Sequence, residues 1–348
     1  MKKVLVWLFA VLTALSVAAC GERGGTPGTD TTTEKLKVFA PDGAPAFALS
    51  GLMGDDTYDI EVVASNTIAS KITSGDADLV IAPTNAVVNL FNKGQDYRIV
   101  AQATRGNLFV VGAGGGETLE LSDLVGAVVG VIGQGQTPDL VFRYILGKND
   151  IAYEVSDTAV DGKIALRYYA DGPAVIQAAI AGQIGYGLLG EPAATNASAK
   201  IQGAKMLDVQ ALYEAAEEGN TYGFPQAVLA VKYSTYTARK AEVDAFLTAY
   251  AAAEDYAEEH PAEAVERVKN HMSDGVEASI QQMSAETAAR CNISGSVLTE
   301  ADKADINGYI QMILDLEAEG VADGSLASSV GGKLPDETIY IVGGVYGA

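Results

Sequence analysis

The sequence predicts an α/β protein built from two similar lobes, and three observations support this. Short apolar segments alternate with helical segments along most of the chain, a pattern typical of largely parallel sheets covered by helices. The order helix, glycine, buried strand, proline turn occurs at residues 72–84 and again at residues 179–192. The chain has 348 residues, which suits about two domains of ordinary size.

The N-terminus has the pattern of a secretory signal that ends at a cysteine. Lys2 and Lys3 precede an apolar run at residues 4–17, and small residues lead to Cys20. The run is short for a membrane-spanning helix, and the charge precedes it, as in secretory signals. The segment resembles a bacterial lipoprotein signal peptide at residues 1–19. The alternatives are an uncleaved anchor helix or a buried N-terminal strand.

This resemblance implies cleavage before Cys20, whose thiol then carries a lipid anchor. The mature chain would start at Cys20 on the extracytoplasmic face of the cell membrane. Residues 20–35 are rich in Gly, Thr and Pro and show no apolar periodicity. Such a composition buries too little surface to fold, so this segment is predicted to be a flexible tether.

The mature chain is strongly acidic. Without Lys2 and Lys3 its formal charge is 21 − 45 = −24. This charge disfavours nucleic acid as a partner and broad contact with anionic lipid. Cys291 is the only cysteine left after lipidation, which rules out an intramolecular disulfide and a cysteine metal cluster. We expect no metal and no cofactor.

The first half of the predicted α/β pattern runs from residue 36 to residue 112. Apolar runs and alternating segments predict strands at residues 36–40, 58–64, 79–82, 98–103 and 108–112. Helices are predicted at residues 46–53, at 68–73 after an N-cap within residues 65–67, and from the turn at 83–85 to residue 91.

The second half repeats the pattern and then becomes helical. Strands are predicted at residues 128–132, 164–169, 184–189 and 227–231. The turn at residues 133–138 opens a helix to residue 146, and another helix ends at residue 181. Helices are then predicted at residues 239–259, 262–272, 276–290 and 300–319, the first ending at His260 because Pro261 follows.

Five segments carry a resemblance to a known family. They are VFAPDGAPAFAL (38–49), GDADLVIAPT (75–84), LSDLVGAVVGVIG (121–133), PAVIQAAIAGQIGYGLLGEP (173–192) and AFLTAYAAAEDYAEEHPAEA (245–264). In their order and spacing they resemble the solute-binding proteins of bacterial ABC importers with the type II periplasmic binding protein fold. The most similar branch takes nitrate, sulfonates, taurine or thiamine precursors.

The resemblance implies two α/β lobes, each a mixed, mostly parallel sheet flanked by helices, with a small polar solute held between them. Lobe one would comprise residues 36–107 and 227–348, and lobe two residues 108–226. It also implies delivery of the solute to an ABC permease and ATPase complex. We expect a monomer that contacts the membrane through its lipid.

The strand-to-helix turns form the expected cleft wall, because ligands of open α/β sheets bind outside the carboxyl ends of the strands. Near predicted helix N-termini, free N–H groups favour a polar or anionic group, although plain helix capping is the alternative. The candidate solute contacts in these turns and at the crossovers are Asp42, Ala44, Asn66, Thr84, Asn85, Arg105, Gln134, Thr137, Gly172, Glu191 and Tyr222.

Charged and aromatic candidates leave the solute open. Arg105 pairs either with an anionic solute or across the lobes. Asp42 and Glu191 favour an amine or a protonated ring, although Glu191 also suits a helix start. The resemblance also implies a hinge near residues 104–108 and 224–227, where the chain crosses between the lobes. Tyr222 and Phe224 either stack on a planar solute or pack this hinge.

Two other kinds of site are disfavoured. The turn at residues 133–138 has Pro138 where a dinucleotide loop needs its last glycine, and it has no Walker lysine. Fungal thiamine-pyrimidine synthases share the implied fold and need histidine and cysteine chemistry. Here His260, His271 and Cys291 follow the predicted cleft segments, so we expect no enzyme. A sensor or a protein-binding lipoprotein is the remaining alternative to a solute-binding protein.

Overall fold

The computed structural model describes residues 34–54, 56–114, 116–218, 220, 223–276, 281–321, 326 and 328–343. The predicted signal peptide and nearly all of the predicted tether lie outside these residues. From Lys35 onward the chain forms one compact unit.

The chain alternates strands and helices before it ends in helices. The strands are β1 (Lys37–Pro41), β2 (Asp59–Val63), β3 (Leu79–Pro83), β4 (Tyr97–Arg105), β5 (Leu108–Ala113), β6 (Val128–Ile132), β7 (Tyr153–Val155), β8 (Ile164–Tyr169), β9 (Tyr186–Gly190), β10 (Ala204–Asp208) and β11 (Pro225–Lys232). The helices are α1 (Ala44–Phe47), α2 (Ile68–Ser74), α3 (Thr84–Asn92), α4 (Thr137–Lys148), α5 (Gly172–Ile180), α6 (Ala193–Lys200), α7 (Val209–Ala216), α8 (Tyr233–Ala238), α9 (Lys240–Ala252), α10 (Tyr256–Glu259), α11 (Pro261–Asn270), α12 (Ala285–Arg290) and α13 (Glu300–Val321).

The strands form two mixed sheets, as the α/β pattern predicts. The first has the order β2-β1-β3-β11-β4, with β1 parallel to β2 and β3, and β11 antiparallel to both of its neighbours. The second has the order β10-β5-β9-β6-β8-β7, in which β7, β8, β6 and β9 are parallel. The chain passes between the sheets after β4 and returns before β11.

Both faces of each sheet are packed against apolar side chains. In β3, Leu79 and Ile81 face one apolar cluster while Val80 and Ala82 face another, as the two-residue period of a strand requires. The cluster around Val80 extends without interruption to Val129 of the second sheet. The two sheets therefore share buried apolar surface beside their crossovers.

Gly106 lies in the first crossover, between β4 and β5, and has no room for a side chain. A Cβ atom there would overlap the amide of Gln210 from α7 and the ring of Phe224 from the second crossover. Gly223 also lies against Gln210, and its φ of +74° is a conformation that glycine adopts readily. The Gln210 side chain thus fills the space between the two crossovers.

Gly106→Ala should lower the free energy of unfolding by about 1–3 kcal/mol, because the methyl group overpacks this junction. Gly147 in α4 provides the control, since a Cβ there meets nothing within 4 Å. Gly147→Ala should be neutral or stabilising by about 0.5–1 kcal/mol. Urea denaturation compares the two variants, and equal effects would contradict the packing of Gly106.

Three predicted helices are shorter than expected. The helix predicted at residues 46–53 is α1, which ends at Phe47, where the Ser50 hydroxyl donates to the Phe47 carbonyl (2.7 Å). The helix predicted at residues 239–259 is broken after Ala252, next to the close packing of Gly51 on Ala253. Of residues 276–290, the described helix is α12, which begins after its N-cap Ser284.

The structure differs from the sequence prediction in two further respects. They are a side-chain hydrogen bond near the start of α2 and edge strands with little buried surface. The N-cap residue of α2 is Thr67, within the predicted residues 65–67, but no side chain caps the helix, because the Thr67 hydroxyl donates to the Ala64 carbonyl. The edge strands β7 and β10 and the helices α7 and α8 were not predicted. Both edge strands are short, and their side chains are only partly buried or exposed.

Candidate functional site

Two predicted solute contacts, one beside each sheet, meet directly. Asn85 follows β3 of the first sheet and Thr137 follows β6 of the second. The Thr137 hydroxyl donates a buried hydrogen bond to Asn85 Oδ1 (3.2 Å). The structure therefore brings the carboxyl end of β3 and the carboxyl end of β6 together at these two residues.

Helix α13 supplies a third group to this contact. Its Tyr309 is fully buried, and the phenol donates to Thr137 Oγ1 (3.4 Å). Burial raises the pKa of the Tyr309 phenol well above its usual value, so the group stays protonated and remains a donor. The Tyr309 ring stacks on Phe224, with centroids 6.2 Å apart. The sequence did not point to Tyr309, which occupies an ordinary apolar position of a predicted helix.

Thr84 adds a polar atom without a hydrogen-bond partner. Its side chain is fully buried, and its Oγ1 atom has no hydrogen-bond partner among the residues that the structure describes. Thr84 and Thr137 are the first residues of α3 and α4, and neither helix has a side-chain cap. The N–H groups of the first turns lack intrahelical acceptors. These two helix starts can therefore serve a ligand that accepts hydrogen bonds.

A buried ion pair holds the loop that precedes Thr137. Asp139 is completely buried, and its Oδ2 accepts from the Gly135 backbone N–H (2.8 Å). Its Oδ1 accepts from Arg143 Nε and from the Tyr168 hydroxyl, both at 2.8 Å. Burial is the largest cause of the raised pKa of the Tyr168 phenol, and the negative charge of Asp139 is the second. For Arg143, burial lowers the guanidinium pKa but the Asp139 carboxylate outweighs it, and the net shift is upward.

Arg105 is paired within the protein. Its guanidinium lies 2.9 Å from Asp302 and 3.5 Å from Asp305, both on α13. Gln102 Nε2 also donates to Asp302 (3.1 Å). Arg105 and α13 both fall within predicted lobe one, so these ion pairs form a link inside that lobe and differ from the predicted link across the lobes.

Glu191 is also paired. Its Oε1 atom accepts from Arg290 Nε (2.7 Å) and from the Thr195 hydroxyl (2.7 Å), and its Oε2 accepts from the Thr195 backbone N–H (3.0 Å). The Glu191 side chain is completely buried. The carboxylate therefore binds the first turn of α6 and neutralises Arg290, a residue that sequence reasoning missed.

The remaining predicted contacts are spread around the same sheet edges. Ala44 is buried as the first residue of α1, and Gly172 is partly buried as the first residue of α5. Asp42 is partly buried in the turn after β1. Asn66 and Gln134 are exposed. Tyr222 lies outside the described residues, as does Cys20. Among the described residues, no group of three or more His, Cys, Asp and Glu side chains has the arrangement of a metal site.

A family model describes much of this chain. The model named NMT1/THI5 like matches residues 59–264, which is more than half of the sequence. The chain belongs to the NMT1/THI5-like family. No curated protein matches it.

Several solved structures are similar in fold to this NMT1/THI5-like protein. An ABC transporter protein from Parabacteroides distasonis has a TM-score of 0.67 and 22% identity, covering 89% of this chain and 99% of its own. The periplasmic aliphatic sulphonate binding protein SsuA from Escherichia coli has a TM-score of 0.60 and 12% identity, covering 88% and 99%.

A third similar structure is the zinc-bound ligand binding component of an ABC-type import system from Staphylococcus aureus. It has a TM-score of 0.58 and 13% identity, covering 86% of this chain and 98% of its own. These likenesses confirm the predicted two-lobed periplasmic binding protein fold. Within the described ranges, we find no helix long and apolar enough to cross a membrane.

Proposed function

We propose that this protein is the extracytoplasmic solute-binding lipoprotein of an ABC importer. It captures a small polar solute between its lobes and delivers it to a membrane permease with its ATPase. The meeting of Asn85 and Thr137 carries the proposal, since groups from both sheets converge where such proteins hold their ligands. The family and the fold support it.

In this proposal lobe one comprises residues 36–107 and 227–348, and lobe two residues 108–226. Strands β1 to β4 lie within the first range and β5 to β10 within the second, which supports this division. Opening separates Asn85 from Thr137, and a bound solute takes up their hydrogen bonds together with the Thr84 hydroxyl. Contacts from both lobes then favour the closed form.

Catalysis has less support than binding. Cys291 is completely buried, and burial, followed by the nearby Glu191 charge, raises the pKa of its thiol. The thiol is therefore held protonated, which disfavours nucleophilic chemistry. His271 Nδ1 lies 2.7 Å from the Arg267 carbonyl, and His260 packs beside Tyr256. Neither histidine contacts Asn85, Thr137 or Tyr309 through a described bond.

A thermal-shift screen tests the proposal. The panel should contain nitrate, alkanesulfonates, taurine, carboxylates, amines and pyrimidines at millimolar concentration. A solute that binds only the folded state raises Tm, and at 100 times its Kd it stabilises by about 2.7 kcal/mol. No shift with any small polar solute would favour the sensor or protein-binding alternative.

Asn85→Ala should weaken binding of a solute found in that screen by about 1–3 kcal/mol, because the solute loses a buried hydrogen-bond partner. Thr137→Ala should act in the same direction. Calorimetry measures both affinities against Thr73→Ala, which alters an exposed hydroxyl on α2. Wild-type affinity in both site variants would contradict this choice of residues while leaving the solute-binding function intact.

A further inference from the structure

The C-terminal segment lies along the first crossover and forms a strap, defined here as residues 290–294. The Arg105 N–H donates to the Asn292 carbonyl (2.9 Å), and the Ser294 N–H donates to the Ala103 carbonyl (2.9 Å). Asn292 Nδ2 donates to the Gly106 carbonyl (3.0 Å). The strap is therefore hydrogen-bonded to the segment about which the lobes would turn.

The strap belongs to the first lobe by its packing. Cys291 is completely buried in the apolar cluster that covers one face of the first sheet, together with Ala288 of α12. Asn107 Nδ2 donates to the Cys291 carbonyl (3.2 Å), which ties the end of the crossover to the same cluster. Arg290 at the start of the strap is thus anchored to lobe one.

Arg290 reaches across to lobe two. Its Nε donates to Glu191 (2.7 Å), and its Nη2 donates to Thr195 Oγ1 (2.7 Å). Both partners lie just after β9, a strand of lobe two. Its Nη1 donates to Glu286, which is mostly exposed. The Arg290 side chain is 29% exposed, whereas the Glu191 side chain has no exposed surface.

We propose that the Glu191–Arg290 ion pair is a latch that restrains opening of the lobes. The inference rests on the two-lobed solute-binding function proposed above. Rotation about residues 105–107 moves β9 relative to the strap and pulls the two charges apart. A buried carboxylate that loses its cation is strongly disfavoured unless water reaches it. The pair therefore biases the protein towards the closed arrangement before any solute binds.

Hydrogen exchange of the full chain without solute tests the latch. The first-turn amides of α3 and α4 lack intrahelical acceptors, so their protection reports coverage by the opposite lobe. In Arg290→Met, the amides of residues 84–86, 137 and 139 should exchange roughly tenfold faster, because an unpaired buried charge favours opening. Pro138 has no amide hydrogen, and the Leu140 N–H already donates to the Gln136 carbonyl (3.0 Å), so neither reports on opening. Arg290→Lys should give a smaller increase, since it keeps the charge but loses one of the two contacts with Glu191 and Thr195.

The matched control is Lys163→Met, which removes a 2.9 Å ion pair to Glu154 within the second sheet, both side chains being about half exposed. It should leave exchange at both helix starts unchanged. If Arg290→Met folds poorly, the double variant Glu191→Gln with Arg290→Met removes both charges and should still exchange faster there.

The outcomes separate a latch from a structural role. Faster exchange confined to the two helix starts, with a larger radius of gyration by small-angle scattering, supports the latch. Unchanged exchange overturns it, and so does a uniform increase that includes β3 and β6, since that reports global destabilisation. Because no solute is present, failure of the latch is distinct from failure of the solute screen.

Discussion

Cys20→Ser should move the protein from the membrane and detergent phase to the aqueous phase. In the proposed lipoprotein, the Cys20 thiol is the group that would accept diacylglycerol, and a serine hydroxyl would not replace it. Each buried methylene of an acyl chain contributes about 0.8 kcal/mol to membrane binding, so loss of two chains removes stable anchoring. Detergent phase partition and mass spectrometry of the N-terminal peptide measure the change.

Cys291→Ala is the control for this experiment. Cys291 is the other cysteine of the chain and is completely buried. Its replacement should leave partition into detergent unchanged, although some stability is lost. If the Cys20→Ser variant still enters the detergent phase like the wild type, Cys20 is not the anchor.

Strands with strong local signals were predicted from the sequence with little error. The predicted ranges 128–132 and 164–169 coincide with β6 and β8. The first is an apolar run, and the second begins with buried apolar residues and is rich in aromatic residues, which favour strands. The break after Ala252 was not predictable in this way, because it coincides with the packing of Gly51 from the other end of the chain. Helix propensity favoured continuing through the alanines, and tertiary packing overrode it.

The site shows the same division between local and distant information. Asn85 and Thr137 were predicted separately, because each follows a buried strand. Their hydrogen bond depends on how the two sheets face each other, which no local pattern encodes. Tyr309 is 172 residues from Thr137, and Arg290 is 99 residues from Glu191. Sequence reasoning therefore located the two sheet edges and missed the C-terminal residues that contact them.

The buried pair of Asp139 and Arg143 should dominate the stability of the second lobe. Both side chains are almost fully buried, at 0% and 1% exposure, and they lie 2.8 Å apart. Arg143→Met should lower the free energy of unfolding by about 3–5 kcal/mol, because Asp139 is left as a buried unpaired charge. The double variant Asp139→Asn with Arg143→Met should cost less than the single one, since no charge then remains unpaired.

Lys240→Met supplies the matched control, since Lys240 pairs with Asp244 at 2.8 Å while both side chains are nearly half exposed. Loss of such a surface pair should cost no more than about 1 kcal/mol. Urea denaturation followed by circular dichroism measures all three variants. If Arg143→Met costs no more than Lys240→Met, the burial of the pair does not govern stability. A large loss that the double variant partly restores would show that the unpaired carboxylate, and not the missing side-chain volume, is what destabilises the lobe.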